Sequence, residues 1–93
     1  MANARSGNTH SVDSTGVLVS DACKIAQVLV TATAASAILE LRDAAGSIVK
    51  LNLRVAASGD TGVFDFALNP VFCPNGLKVQ TLTNCIAFVV YTT

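Results

Sequence analysis

Few residues in this chain have the type and spacing to do chemistry. His10, the only histidine, is flanked by Ser11 and Asp13, the side-chain types of a nucleophile, base and orienting carboxylate. Such groups work only when a rigid frame makes them converge. Here they sit in a polar stretch, residues 1–15, whose only large apolar side chains are Met1 and Val12. Asp60 and Asp65 could form a carboxylate pair, but Ser58-Gly59-Asp60 reads as a turn and Asp65 as a solvated carboxylate on an outward face. Gly59 and Gly62 belong to no GxxxxGK[ST] or strand–GxGxxG–helix context, so they cradle no phosphate. No run of alternating Asp, Asn and Glu oxygens suits calcium. The expectation is a protein with no catalytic residue, no cofactor and no metal site, hence not an enzyme.

The three cysteines, Cys23, Cys73 and Cys85, form no CxxC or Cys/His spacing. A zinc site would have to gather four ligands from distant segments. They read as reduced, buried small hydrophobes. A disulfide between two of them stays open if the protein meets oxidising conditions. The aromatic residues are Phe64, Phe66, Phe72, Phe88 and Tyr91, with no tryptophan. Phe64, Phe66 and Phe88 are better explained as core than as a stacking platform for bases or sugars, and a chain with one tyrosine and no tryptophan makes a poor carbohydrate binder.

Elements must position these residues, and composition bounds what the elements are. In 93 residues, six Lys and Arg balance six Asp and Glu, charged residues reach only 13%, and hydrophobic residues reach 52%. That excludes intrinsic disorder and an electrostatic nucleic-acid binder. So few charges make a lone soluble monomer an uneasy reading. No apolar run is long enough to cross a membrane as a helix, and residues 25–41 are interrupted by Gln27, Thr31, Thr33, Ser36 and Glu40. The polar start has no apolar h-region, so synthesis in a reducing cytoplasm without signal-peptide export is expected.

Residues 1–15 are expected to be an extended N-terminal arm that stabilises assembly rather than the fold, with 16–93 as a single domain. Strands are expected at 16–20, 23–33, 36–43, 47–56, 62–68, 76–82 and 85–92, with a short extended piece at 71–73. A helix over the alanine-rich residues 22–45 is rejected. Five of the nine residues from 25 to 33 are β-branched, and 47–55 alternates strictly: Val49, Leu51, Leu53 and Val55 against Ile48, Lys50, Asn52 and Arg54. The fold class is a small all-β antiparallel β-sandwich or jelly-roll-like barrel of seven or eight short strands.

Three pairings follow. A three-residue loop after Asp43, with left-handed Gly46, would set 42 opposite 48, Glu40 opposite Lys50, Leu41 opposite Val49 and Leu39 opposite Leu51. A Thr83-Asn84 loop would set Leu77, Val79 and Thr81 against Val90, Phe88 and Ile86. Phe64, Phe66 and Leu68 would lie opposite Val55, Leu53 and Leu51. The expected core is Leu39, Leu41, Val49, Leu51, Leu53, Phe64, Phe66, Val79 and Phe88. Several outward positions stay apolar: Ile38 and Ile48; Val63 and Ala67; Leu82, Val89 and Tyr91. Apolar residues on adjoining strands form a patch, and patches mark interfaces. The expected interface residues are Asn3, Arg5, Asn8, Thr9 and His10 of the arm, with Ile48, Val63, Leu82, Val89 and Tyr91.

Residues 38–42 (ILELR), Asp43 and Gly46, Phe64-Asp65-Phe66, Val71-Phe72, Pro74-Asn75-Gly76-Leu77-Lys78-Val79 and the terminal Phe88-Val89-Val90-Tyr91-Thr92 carry a resemblance. From about Gly16 to Thr92 the chain resembles small all-β structural proteins of tailed bacteriophage virions. The three cysteines are no part of that pattern, and the Asn75-Gly76-Leu77 turn is structural. The resemblance implies a capsid decoration (cement) protein on the virion surface, made in the host cytoplasm. It implies a homotrimer bound to the phage major capsid protein, with no nucleic acid and no membrane as partner. The alternatives are a phage tail or head–tail accessory subunit, or a receptor- or ligand-binding β-sandwich module.

Overall fold

The computed structural model describes residues 8–45 and 48–93. Among them the chain is all-β, with nine strands and no helix. In chain order these are β1 (Asn8–Val12), β2 (Gly16–Val19), β3 (Cys23–Ala32), β4 (Ala37–Asp43), β5 (Val49–Val55), β6 (Thr61–Asp65), β7 (Val71–Cys73), β8 (Leu77–Thr83) and β9 (Cys85–Thr92). They form two antiparallel sheets. One runs β1-β9-β3-β6, with β7 also paired to β3, and the other runs β2-β8-β4-β5. The two sheets face each other across one aliphatic core.

The strands arise where the sequence placed them, and β1 is added. Val12 is 1% exposed, and β1 pairs with β9 from Val12 opposite Ala87 to Asn8 opposite Tyr91. Residues 8–12 are therefore part of the domain rather than of an arm. A single buried valine, backed by a full ladder of backbone bonds, is enough to dock a polar strand onto an edge. Residues 1–7 lie outside the described residues.

The three expected pairings are corrected. In the β4–β5 hairpin Leu39 faces Leu53, Leu41 faces Leu51 and Glu40 faces Asn52, with a bulge before Arg42. This differs from the expected register by two residues. A slip of two keeps every side chain on its face, so hydrophobic alternation cannot detect it. Glu40 consequently pairs with Arg42 on its own strand, Nε to Oε2 2.6 Å, and not with Lys50. The expected left-handed Gly46 lies outside the described residues.

The chain turns at Asn84 with φ 56°, yet β8 and β9 do not pair: β8 lies between β2 and β4, β9 between β1 and β3. The junction is a corner between sheets. Asn84 accepts from Thr33 N at 2.8 Å and donates from Nδ2 to Ala35 O at 3.0 Å, tying this corner to the β3–β4 corner. The β6 strand pairs with β3, Phe64 opposite Val28, and not with β5.

The core is built from Val12, Ile25, Val28, Val30, Leu39, Leu41, Leu53, Val55, Leu77, Val79 and Val89, with small Ala and Cys side chains between them. Leu39, Leu41, Leu53 and Val79 are buried as expected, while Leu51, Phe64 and Phe66 are half-buried against the core. Val49 and Phe88 are exposed, correcting two of the nine core assignments. Val49, the first residue of β5, lies opposite Arg42 beside the bulge. Phe88 is displaced because the inner side of β9 is taken by Cys85, Ala87 and Val89.

One clasp closes the end of the sandwich. Asp43 is 3% exposed, the only buried charged residue among those described. Its Oδ1 accepts from Ala45 N at 3.0 Å and its Oδ2 from Asn75 N at 3.3 Å, while Ala44 N donates to Gly76 O at 3.1 Å. The β4–β5 loop is thereby bound to the β7–β8 turn. Gly76 has φ +102°, and a Cβ there would meet Val19 O at 2.2 Å. Gly76→Ala should therefore cost about 2 kcal/mol or more, read as a fall in melting temperature.

The amide of Ala45, and then those of Asn75, hold the Asp43 carboxyl below its ordinary 3.8, against the opposing effect of burial. A depressed folded-state value stabilises the fold above the unfolded value and ceases to do so as pH falls through the folded one. Melting temperature should drop as pH falls below about 3.8. Asp43→Asn should melt lower at neutral pH and lose less between pH 5 and pH 3 than the parent chain, about two units around the carboxylate range.

Candidate assembly surface

The candidate site is the outer face of the five-stranded sheet. Strand alternation sends Phe88 of β9, Leu29 of β3 and Val63 of β6 to this face, and the register aligns them. Ser11 lies opposite Phe88, Phe88 opposite Leu29 and Leu29 opposite Val63, a single row crossing four strands. The row beside it is Ile86, Thr31 and Thr61, and the row on the other side is Thr9, Val90, Gln27 and Asp65. Phe88 and Ile86 are each 47% exposed and Val63 is 59% exposed. Thr31 and Thr61 satisfy each other, hydroxyl to hydroxyl, at 3.0 Å.

The inner face of this sheet is apolar, and its outer face carries an apolar centre of Phe88, Leu29, Val63, Ile86 and Val90 with Ser, Thr and Gln side chains around it. Central strands covered on both sides read as continuous hydrophobic runs. Residues 85–91 (CIAFVVY) and 28–30 (VLV) are such runs. The charged groups among these rows lie at their margin: Asp65 on β6, whose Oδ1 accepts from Ala67 N at 2.9 Å, and Lys24 toward β7. The outer face of the other sheet mixes charged residues with exposed Val17. It carries the Glu40–Arg42 pair, Arg54 opposite Ile38, and Lys78 opposite Arg42.

The expected interface residues divide. Val63 and Thr9 belong to the apolar face. Ile48 is 64% exposed but precedes β5, on the other sheet. Val89 is fully buried, and Leu82 and Tyr91 are half-buried against the core. The alternation of β9 thus runs opposite to the expected one: Ala87 and Val89 point inward, Ile86 and Phe88 outward. Leu82 points inward because it faces Leu39 across β4. His10 is half-buried, with Nδ1 3.1 Å from the Ser11 carbonyl, a bond that its Nδ1-protonated form donates. Asn8 opens β1, and Asn3 and Arg5 lie outside the described residues. Phe88, Ile86 and Leu29 are the residues that sequence reasoning missed. The signal was present, since both parities of residues 85–91 are apolar.

Among the described residues no group of three or more His, Cys, Asp or Glu side chains gathers in the way a metal site requires. The surface depressions, such as that between Ala37, Ile38, Arg54 and Val55, gather no converging titratable groups. No family model matches this chain, and neither a curated protein nor a solved structure matches it.

Substitution separates surface from core. Phe88→Ser and Val63→Ser should each change stability by less than about 1 kcal/mol, since both side chains are half-exposed or more. Val89→Ala, on the neighbouring but inward position, should cost about 2 kcal/mol. Thermal unfolding of the three variants checks the ordering.

Proposed function

We propose that this chain is a non-enzymatic virion structural subunit of the capsid decoration or cement type. It self-associates and binds the phage shell through the outer face of the five-stranded sheet. The observation that carries the reading is the uncharged Phe88–Leu29–Val63 row with Ile86 and Val90 beside it. Contiguous exposed apolar surface of this kind is costly in water and is characteristic of interfaces. The molecule is a slab of 36 × 31 × 20 Å, so its broad face offers the roughly 800 Å² per partner of an ordinary interface. The resemblance to phage structural proteins supplies the class of assembly, including a trimer over a shell symmetry axis. A cement subunit needs no active site; it needs a rigid frame and an adhesive face.

The test uses the full chain and a Phe88→Glu/Val63→Glu double variant. Sedimentation velocity reads self-association, and co-sedimentation reads retention on empty shells assembled from a phage major capsid protein. The parent should form one closed oligomer and pellet with shells at a fixed copy number, and the folded double variant should do neither. A parent chain that stays monomeric and does not pellet overturns the reading. A self-associating chain that pellets with tail assemblies and not with shells favours the tail or head–tail accessory role.

A further inference from the structure

Three cysteines permit three intramolecular pairings, and the fold selects one. Cys23 on β3 lies directly opposite Cys73 on β7 in the antiparallel ladder, flanked by Lys24 opposite Phe72 and Ile25 opposite Val71. Directly opposed residues have Cα atoms about 4.5–5.5 Å apart, inside the range a disulfide spans. Both side chains point to the inner side, at 2% and 0% exposure, so their Cβ vectors are directed alike. Cys85 faces Ala32, at the far end of the same strand. The nine residue steps from Cys23 to Ala32 put it roughly 30 Å away, beyond any bridge.

We propose that Cys23 and Cys73 are a latent cross-strand disulfide site, closed by exchange with a small-molecule disulfide, and that closure staples β7 to β3. The inference does not rest on the assembly role. A Cys23 or Cys73 thiolate attacks one sulfur of the reagent, giving a mixed disulfide and releasing one reagent thiolate. The second cysteine, as thiolate, then attacks the protein sulfur of that mixed disulfide and releases the other. In sum, two protein thiols and one reagent disulfide become one protein disulfide and two reagent thiols.

The position of β7 gives the bond its effect. This strand has three residues, stands between Pro70 and Pro74, and pairs only with β3 among the described residues. So short a strand has few backbone bonds and is among the first parts of such a fold to open. Its opening also admits the reagent to the two buried thiols.

Burial sets the rate. It pushes the Cys23 thiol up, partly offset by the Cys73 thiol beside it, which donates toward Cys23. Burial, the neighbouring Cys23 and Asp43 raise Cys73 to about 11, with Lys50 pulling in the opposite direction. Since only thiolates attack, exchange is slow at neutral pH and faster in mild alkali.

The experiment treats the Cys85→Ser chain, and the parent chain in parallel, with oxidised glutathione in mild alkali. Intact mass should fall by two hydrogens without a glutathione adduct. Trypsin should then release residues 6–24 joined to residues 55–78, while the 79–93 peptide of the parent keeps its free Cys85. Melting temperature should rise by about 10 °C and return on reduction. Cys73→Ser should gain no intramolecular bond and no such rise. A persistent glutathione adduct, disulfide-linked dimers, a bond to the 79–93 peptide or two free thiols after prolonged treatment would overturn the proposal. The parallel parent sample keeps the test decisive if Cys85→Ser fails to fold.

Discussion

The fully buried core between the two sheets holds no aromatic ring, only aliphatic side chains and cysteines, and much of the structure follows from that constraint. The largest fully buried side chains are Ile25, Leu39, Leu41 and Leu77, with valines, alanines and cysteines between them. Face-to-face sheets stand about 10 Å apart, and β-branched side chains interdigitate well across that distance. A ring must find room elsewhere. Phe64 and Phe66 lie at the margin, half-buried, and Phe72 and Phe88 point outward. The inward residues at the start of β9, Cys85 and Ala87, are small, and Cys85 Sγ lies 3.5 Å from the Ile38 carbonyl of β4.

This packing makes the two outer faces unequal. The four-stranded sheet carries exposed Arg54 and half-buried Glu40, Arg42 and Lys78 on its outer side, with exposed Val17 opposite Lys78. The five-stranded sheet exposes Phe88, Ile86 and Val63 instead. A chain with only 13% charged residues cannot cover both faces with charge. The uncharged row on the five-stranded sheet is the larger aligned apolar surface, because Phe88, Leu29 and Val63 are direct neighbours across three strands.

The ends of the sandwich are held by polar contacts. Asp43 gathers two backbone amides from separate loops, and Asn84 joins two corners through its backbone carbonyl and side-chain amide. A buried carboxylate is tolerated because both oxygens are satisfied. The Asn84 contacts join two corners where the chain passes between sheets, and the Asp43 contacts tie a hairpin loop of one sheet to the β7–β8 crossing. The N-terminal strand depends on them least. It adds to the β9 edge by backbone pairing and one buried valine.

Local information in the sequence determined the class of fold and most strand positions. The β-branched run at 25–33, the strict alternation at 47–55 and the turn residues between them admit no helix, and they locate eight of the nine strands. They also determined which parity of β4 is inward, because Leu39 and Leu41 alternate with charged Glu40 and Arg42. Tertiary structure alone decided the partners. Residues 8–12 carry too little apolar pattern to announce a strand, and they become one only because β9 offers an open edge. The β4–β5 register was ambiguous by two residues, since both choices preserve every face. Asn84 signalled a positive φ but not whether the chain would fold back in its own sheet or cross to the other. In β9 both parities are apolar, so nothing local distinguishes Phe88 from Val89. That choice, and with it the candidate surface, was made by the pairing of β9 with β3 and β1, which turns Val89 to the core and Phe88 outward.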